Sequence, residues 1–184
     1  MVFTKIIKMS QLFESERLIV RPLSKTDLEG FHDLESNPRV LTFVGVDASP
    51  HEDIQESIDE LDELISAYSE KNNRLTVWSV IRKLDQEFIG TCAYIVDENG
   101  NEIGFRLREK HWGNGYATEL VPKLINYVFE TFNIDSIWAE ADVQNEASNR
   151  ILEKFLTKDG KRWNEHDQCW DYYYSLKRAA HEEN

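Results

Sequence analysis

Between Glu102 and Phe129 the chain changes its hydrophobic rhythm, and this junction restricts the fold more than any other stretch. Glu102 to Arg108, EIGFRLR, reads as a strand, whereas Leu120, Leu124, Ile125, Val128 and Phe129 recur at helical spacing. His111 to Leu120, HWGNGYATEL, joins the two and carries Gly113 and Gly115. A strand that passes through a short glycine loop into a helix leaves several N–H groups at the helix start without intrahelical partners. The positive end of the helix dipole lies behind them, so the junction is a ready site for phosphate. A ligand carrying a pyrophosphate fits it.

Spacing narrows the kind of ligand. A dinucleotide fingerprint, G-x-G-x-x-G, needs glycine where Thr118 stands, and the phosphate loop of nucleotide hydrolases needs a Gly-Lys pair that occurs only at Gly160-Lys161, out of context. The pattern present has Trp112, Gly115 and Ala117 as its fixed points. It resembles the pyrophosphate loop (Q/R-x-x-G-x-G/A) of the GNAT superfamily of acetyl-CoA-dependent N-acyltransferases, with Trp112 in place of the usual Gln or Arg. The form W-G-x-G-Y-A-T-E is similar to the RimJ/RimL-like branch. Three other stretches resemble that branch in its order and spacing: ERLIVRPL from Glu16 with the helix after it, FIGT from Phe88, and NEASNRILEK from Asn145. The resemblance covers roughly Glu16 to Leu176. It departs after Glu153-Lys154, where Phe155-Leu156-Thr157 replaces the family's L-G-F.

The 184 residues read as one domain, 1–184, with 1–12 an expected N-terminal extension and Met9 a second candidate start. A 41% hydrophobic content suits a folded core, and no apolar run approaches the ~20 residues that span a bilayer, so no membrane partner is expected. MVFTKIIKMS has lysines within its short apolar stretch and no signal-peptide cleavage site. Cys92 and Cys169 lack C-x-x-C spacing and read as free thiols of a cytoplasmic protein. The five histidines lack ligand spacing, and no metal is expected. A net charge of −13 counts against nucleic acid and is compatible with a cationic acceptor. The run from His51 to Glu63, with seven acids and no Lys or Arg, is either a solvated helix face or a border of the acceptor site.

Arg17 to Arg21 reads as a strand, and Ser24 or Thr26 caps a helix that stops before Pro38. Ser49-Pro50-His51-Glu52 reads as a capping box opening the next helix, with Ile54, Ile58, Leu61, Ile65 and Tyr68 on its buried face. Leu75 to Arg82, Glu87 to Val96 and Glu102 to Arg108 form an antiparallel meander. The helix after the loop contains Pro122; a strand at Ser136 to Val143, a helix from about Glu146 to Leu156 and a last strand at Trp170 to Leu176 follow. The class is α+β, a mixed sheet flanked by helices. The resemblance implies a mostly antiparallel seven-stranded GNAT sheet, splayed in a V between the strands at Glu102 and Ser136, with acetyl-CoA in the V.

Acetyl transfer to an amine needs a held donor, an amine stripped of its proton, and a stabilised leaving thiolate. The backbone of Trp112, Gly113, Asn114, Gly115, Tyr116, Ala117 and Thr118 is the candidate cofactor loop. The resemblance adds strand-like pairing of the pantetheine arm to Phe105, Arg106 and Leu107, and a role for Asn145 on the same arm; from the residues alone Asn145 is equally a helix cap. For the base, the resemblance points to Glu102, with Glu140 second; Glu119 reads as a helix-start acid. Many family members protonate the thiolate with a tyrosine seven residues after the Asn, but Leu152 stands there, and the branch offers Ser148 instead. The implied activity is acetyl transfer to a protein N-terminus or a small amine in a ternary complex, with a possible homodimer. A non-catalytic acyl-CoA sensor is the alternative.

Overall fold

The computed structural model describes residues 11–70 and 73–182, so residues 1–10 of the expected extension lie outside the described part. Eight strands are present: β1 Phe13–Glu14, β2 Leu18–Pro22, β3 Leu75–Arg82, β4 Phe88–Asp97, β5 Gly100–Leu107, β6 Ser136–Asp142, β7 Thr157–Asn164 and β8 Cys169–Lys177. The helices are α1 Leu28–Glu35, α2 Pro38–Leu41, α3 Ile54–Ala67, α4 Tyr116–Phe132, α5 Glu146–Leu152 and α6 Arg178–Glu182. The strands make one sheet in the order β1-β2-β3-β4-β5-β6-β8-β7. Every neighbouring pair is antiparallel except β5 and β6. These two share a single register pair, Glu102 with Trp138, so the sheet opens from that point into a V.

Alternation divides the apolar residues between two faces of the sheet. On one face Leu18, Val20, Trp78, Val80, Ile103 and Ile137 pack against Leu120, Leu124, Val128 and Phe129 of α4. On the other, Val77, Ile81 and Phe88 pack against Phe31 and Leu34 of α1 and Leu61 of α3. The buried Asp27 carboxylate ties β2 to this second layer. It accepts from Arg21 at 2.5 and 2.8 Å, from the Ser24 amide at 2.9 Å and from the Ser79 hydroxyl at 2.7 Å. Ser24 and Asp27 form a capping box at the turn before α1, and Pro38 opens α2 behind an Asn37 cap.

Two expectations need correction. The helix at Ser49 starts later: Asp53 is its N-cap, accepting from the amides of Gln55 at 2.7 Å and Glu56 at 3.2 Å. Its buried side runs through Ser57 and Leu61, while Ile54 is exposed. Ser57 is held there because its hydroxyl meets His32 Nδ1 and His51 Nδ1, both at 2.8 Å. The sheet has eight strands rather than seven. The two-residue β1 extends it at one edge, and β7 lies at the other, between α5 and β8, where the periodicities predict no strand. Helix α4 continues through Pro122, which ends no element; the helix simply lacks the bond its missing N–H would have made.

Candidate active site

The splay leaves one edge of β5 open. Arg108 donates its N–H to the Ile89 carbonyl at 2.9 Å, toward β4. By alternation Arg106 does the same, while the backbone groups of Phe105 and Leu107 turn into the V. The Trp112 indole closes the end of this edge by donating to the Leu107 carbonyl at 2.7 Å. Gly90, opposite Leu107, permits the close approach of β4: a Cβ there would lie 2.1 Å from the Arg106 carbonyl oxygen. A cleft of about 1520 Å³ fills the V, lined along one side by Phe105, Arg106, Leu107, Trp112, Gly113 and Gly115, and continuing past Tyr116, Ala117 and Thr118.

The loop turns on two left-handed glycines, Gly113 at φ 74° and Gly115 at φ 78°, the latter the N-cap of α4. The first helix amide to find a carbonyl is Glu119, which donates to Gly115 at 3.1 Å. The amides of Gly113 to Thr118 meet no acceptor among the described residues. Asn114 ties the loop to itself, its Nδ2 donating to the carbonyls of His111 at 3.1 Å and Trp112 at 3.0 Å. Glu119 anchors the helix start to the β1–β2 turn: it accepts from the Ser15 hydroxyl, the Arg17 amide and Arg17 Nε, each at 2.6 Å. Burial opposes ionisation of this carboxyl, but the donors outweigh it and hold it below its ordinary range. Arg17 also donates to the Asn114 carbonyl at 3.0 Å and lies over the Tyr116 ring. Free amides at a helix start, backed by a fixed loop, suit a pyrophosphate.

Glu102 stands where β5 and β6 part, half-buried and lining the cleft. Burial, then the Glu140 and Asp97 carboxylates, push its carboxyl up to about 8. Glu140 lies two residues beyond Trp138 on the same face of β6, beside Tyr173 of β8. Burial raises Glu140 as well, against the lowering effect of the Tyr173 hydroxyl. Glu140 Oε2 and Trp138 Nε1 are buried with no hydrogen-bond partner among the described residues. Glu60 reaches the cleft from α3, its carboxyl raised first by burial and then by Glu35. Of the acid run between His51 and Glu63, Glu60 is the member that lines the cleft.

Asn145 caps α5, its Oδ1 accepting from the Ser148 amide at 3.1 Å, and both residues line the cleft. Leu152 is buried in the core. Arg106 turns its side chain toward α1, donating to Glu35 at 2.8 Å. Sequence reading missed the Arg17–Glu119 clamp and the role of Gly90, because each depends on segments distant in the chain. It also missed Asn149, which is buried and joins three elements: it donates to the Asp142 carbonyl at 2.9 Å and accepts from Tyr174 at 2.8 Å.

A split sheet with a free strand edge, and an amide-lined loop at the start of the next helix, are the features of an acyltransferase cleft. The chain belongs to the acetyltransferase (GNAT) domain family, whose model matches residues 17–155. Among its relatives is the uncharacterized N-acetyltransferase YoaA of Bacillus subtilis (strain 168), 32% identical over 156 residues, or 83% of this chain and 86% of that protein. Spermidine N(1)-acetyltransferase of Vibrio cholerae serotype O1 is 24% identical over 143 residues, 76% of this chain and 78% of that one. RimL, the ribosomal L7/L12 alpha-N-protein acetyltransferase solved with coenzyme A, shares the fold at a TM-score of 0.75 with 16% identity, covering 93% of this chain and 99% of that one.

Proposed function

We propose that this enzyme acetylates a primary amine with acetyl-CoA by direct transfer in a ternary complex, and that Glu102 takes the proton from the amine. Acetyl-CoA supplies the acetyl group. The amides of Gly113 to Thr118 hold its pyrophosphate, and the open edge at Phe105 and Leu107 pairs with its pantetheine arm, with Asn145 alongside. An ammonium of pKa ~10.4 is almost wholly protonated at neutral pH, so attack requires a base. The observation that carries this reading is Glu102 itself: a cleft-lining carboxyl, raised to about 8, at the point where the strands divide. As the N–C bond forms and the C–S bond breaks, Glu102 gains the amine proton, and Ser148 on the first turn of α5 is the proposed donor to the departing sulfur.

The acceptor is a small amine or a protein N-terminus; both kinds occur in the names of relatives, within the RimJ/RimL-like branch to which the loop points. The free thiols Cys92 and Cys169 support a cytoplasmic setting, and no helix among the described residues is long and apolar enough to cross a membrane. Release of CoA from acetyl-CoA across a panel of small amines and N-terminal peptides tests the reading. Turnover with at least one amine is expected. Tight acetyl-CoA binding with no turnover on any amine would favour a sensor instead.

A further inference from the structure

The acceptor end of the cleft carries more negative charge than one proton transfer requires. Glu140 shares a face of the sheet with Trp138, the register partner of Glu102, so both carboxylates look into the same space. Gly104 lies on that face of β5 and leaves open space beside it, with no atom within 4 Å of where a Cβ would sit. Asp167 and Asp171 border the same end, but their oxygens are already engaged. Asn164 donates to Asp167 at 3.0 Å and to Asp171 at 2.9 Å, and the Val46 amide donates to Asp167 at 3.1 Å. Glu140 is different: the Tyr173 hydroxyl lies beside it, yet its Oε2 is buried and meets no donor among the described residues. The cleft cations nearest in sequence to the acceptor face are also engaged, Arg106 by Glu35 and Arg39 by Glu109. On the β3–β4 side of Glu102 the cleft has an aliphatic wall, formed by Leu64, Leu75, Val77, Ala93 and Ile95.

A buried carboxylate oxygen without a donor is unfavourable until a donor reaches it, and a charged donor satisfies it best. Two carboxylates facing one cleft, with an aliphatic wall beside them, suit a molecule that carries two ammonium groups on a chain of methylenes. We propose that Glu140 is a specificity-determining residue that receives a second ammonium of the acceptor, so that the enzyme selects aliphatic diamines and longer polyamines over monoamines. This rests on the reading of Glu102 as the base that serves the reacting amine.

Steady-state kinetics with 1,4-diaminobutane and butylamine, at saturating acetyl-CoA, test it. The wild-type enzyme is expected to favour the diamine at least tenfold in kcat/KM. Glu140→Gln is expected to bring that ratio close to one, chiefly by raising KM for the diamine, with Glu140→Asp intermediate. Absence of a preference in the wild type, or an unchanged ratio in Glu140→Gln, would overturn the proposal. A parallel loss of kcat on both amines would also overturn it, because Glu140 would then act in proton transfer. Calorimetric titration of 1,4-diaminobutane and butylamine into the CoA-bound protein keeps the two readings apart. Tighter diamine binding, lost in Glu140→Gln, supports the second-ammonium site even if Glu102 proves not to be the base; equal binding of the two amines contradicts it.

Discussion

On the donor side of the V, Glu119 accepts from Ser15 and twice from Arg17, and its carboxyl is held ionised below its ordinary range. On the acceptor side, Glu102 faces Glu140 and Asp97 and keeps its proton up to about 8. Both are cleft-region glutamates on elements adjoining one loop, and their environments drive them in opposite directions. On the donor side the side chains fix the loop, and the amides of Gly113 to Thr118 meet no acceptor among the described residues. On the acceptor side Glu140 Oε2 meets no donor among the described residues, which suits a group that exchanges a proton or receives a cation. Perturbed carboxyls gathered in a cleft mark function more often than stability.

Exchanging partners on the acceptor side carries the largest expected effect. Glu102→Gln keeps the shape and removes the base, so kcat is expected to fall about 10²- to 10⁴-fold, as removal of a general base does, with acetyl-CoA affinity little changed. Rapid-quench or steady-state CoA release measures this; a loss under threefold would move catalysis elsewhere. Gly90→Ala strikes the donor edge from behind, because the new Cβ would meet the Arg106 carbonyl. A cost of about 3 kcal/mol is expected from the forced backbone shift, read as a lower thermal midpoint. An unaltered midpoint would mean that β4 and β5 can separate freely.

Smaller effects belong to the loop. Gly115→Ala places a Cβ on a left-handed N-cap, which costs roughly 1–2 kcal/mol and should weaken acetyl-CoA binding up to about tenfold by calorimetry. Unchanged affinity would show that the loop's left-handed turn does not shape the site. Glu119→Gln should cost least, about 1 kcal/mol, since Arg17 is substantially exposed. Its sign with pH is specific. A carboxyl depressed on folding stabilises above its unfolded pKa, and that contribution disappears as pH falls through the folded value. The stability difference between wild type and Glu119→Gln should therefore shrink on acidification below about 4.5; a difference that grows there would contradict the clamp.

The same division explains what could be read from the chain alone. The loop was legible because its backbone geometry leaves a local trace: two glycines, a strand before them and a helix after them. The meander and the helix starting at Tyr116 followed from the same periodicities, whereas the splay came from the family resemblance. Strand β7, TKDGKRWN, left no such trace, since it is an edge strand with nearly every residue exposed and no alternation to detect. The helix start at Asp53 was masked by Ser49-Pro50, which imitates a cap; the choice was made by Ser57 packing between His32 and His51, a contact outside any local window. Glu102 was singled out by the family resemblance, but its raised carboxyl depends on burial and on Glu140 from the next strand, and the unpartnered Glu140 Oε2 is visible only in the folded cleft.

The pH dependence of kcat/KM for acetyl transfer, compared between the wild type and Glu102→Gln, decides whether Glu102 is the base. A base must be deprotonated to act, so the wild-type profile should rise with pH through about 8 and level off above it, until the amine itself loses its proton at ~10.4. Glu102→Gln should lack that rise and show a low rate that is flat through the same range. A rise through about 8 that persists in Glu102→Gln would assign the titrating group to another residue and contradict the account of the acceptor half.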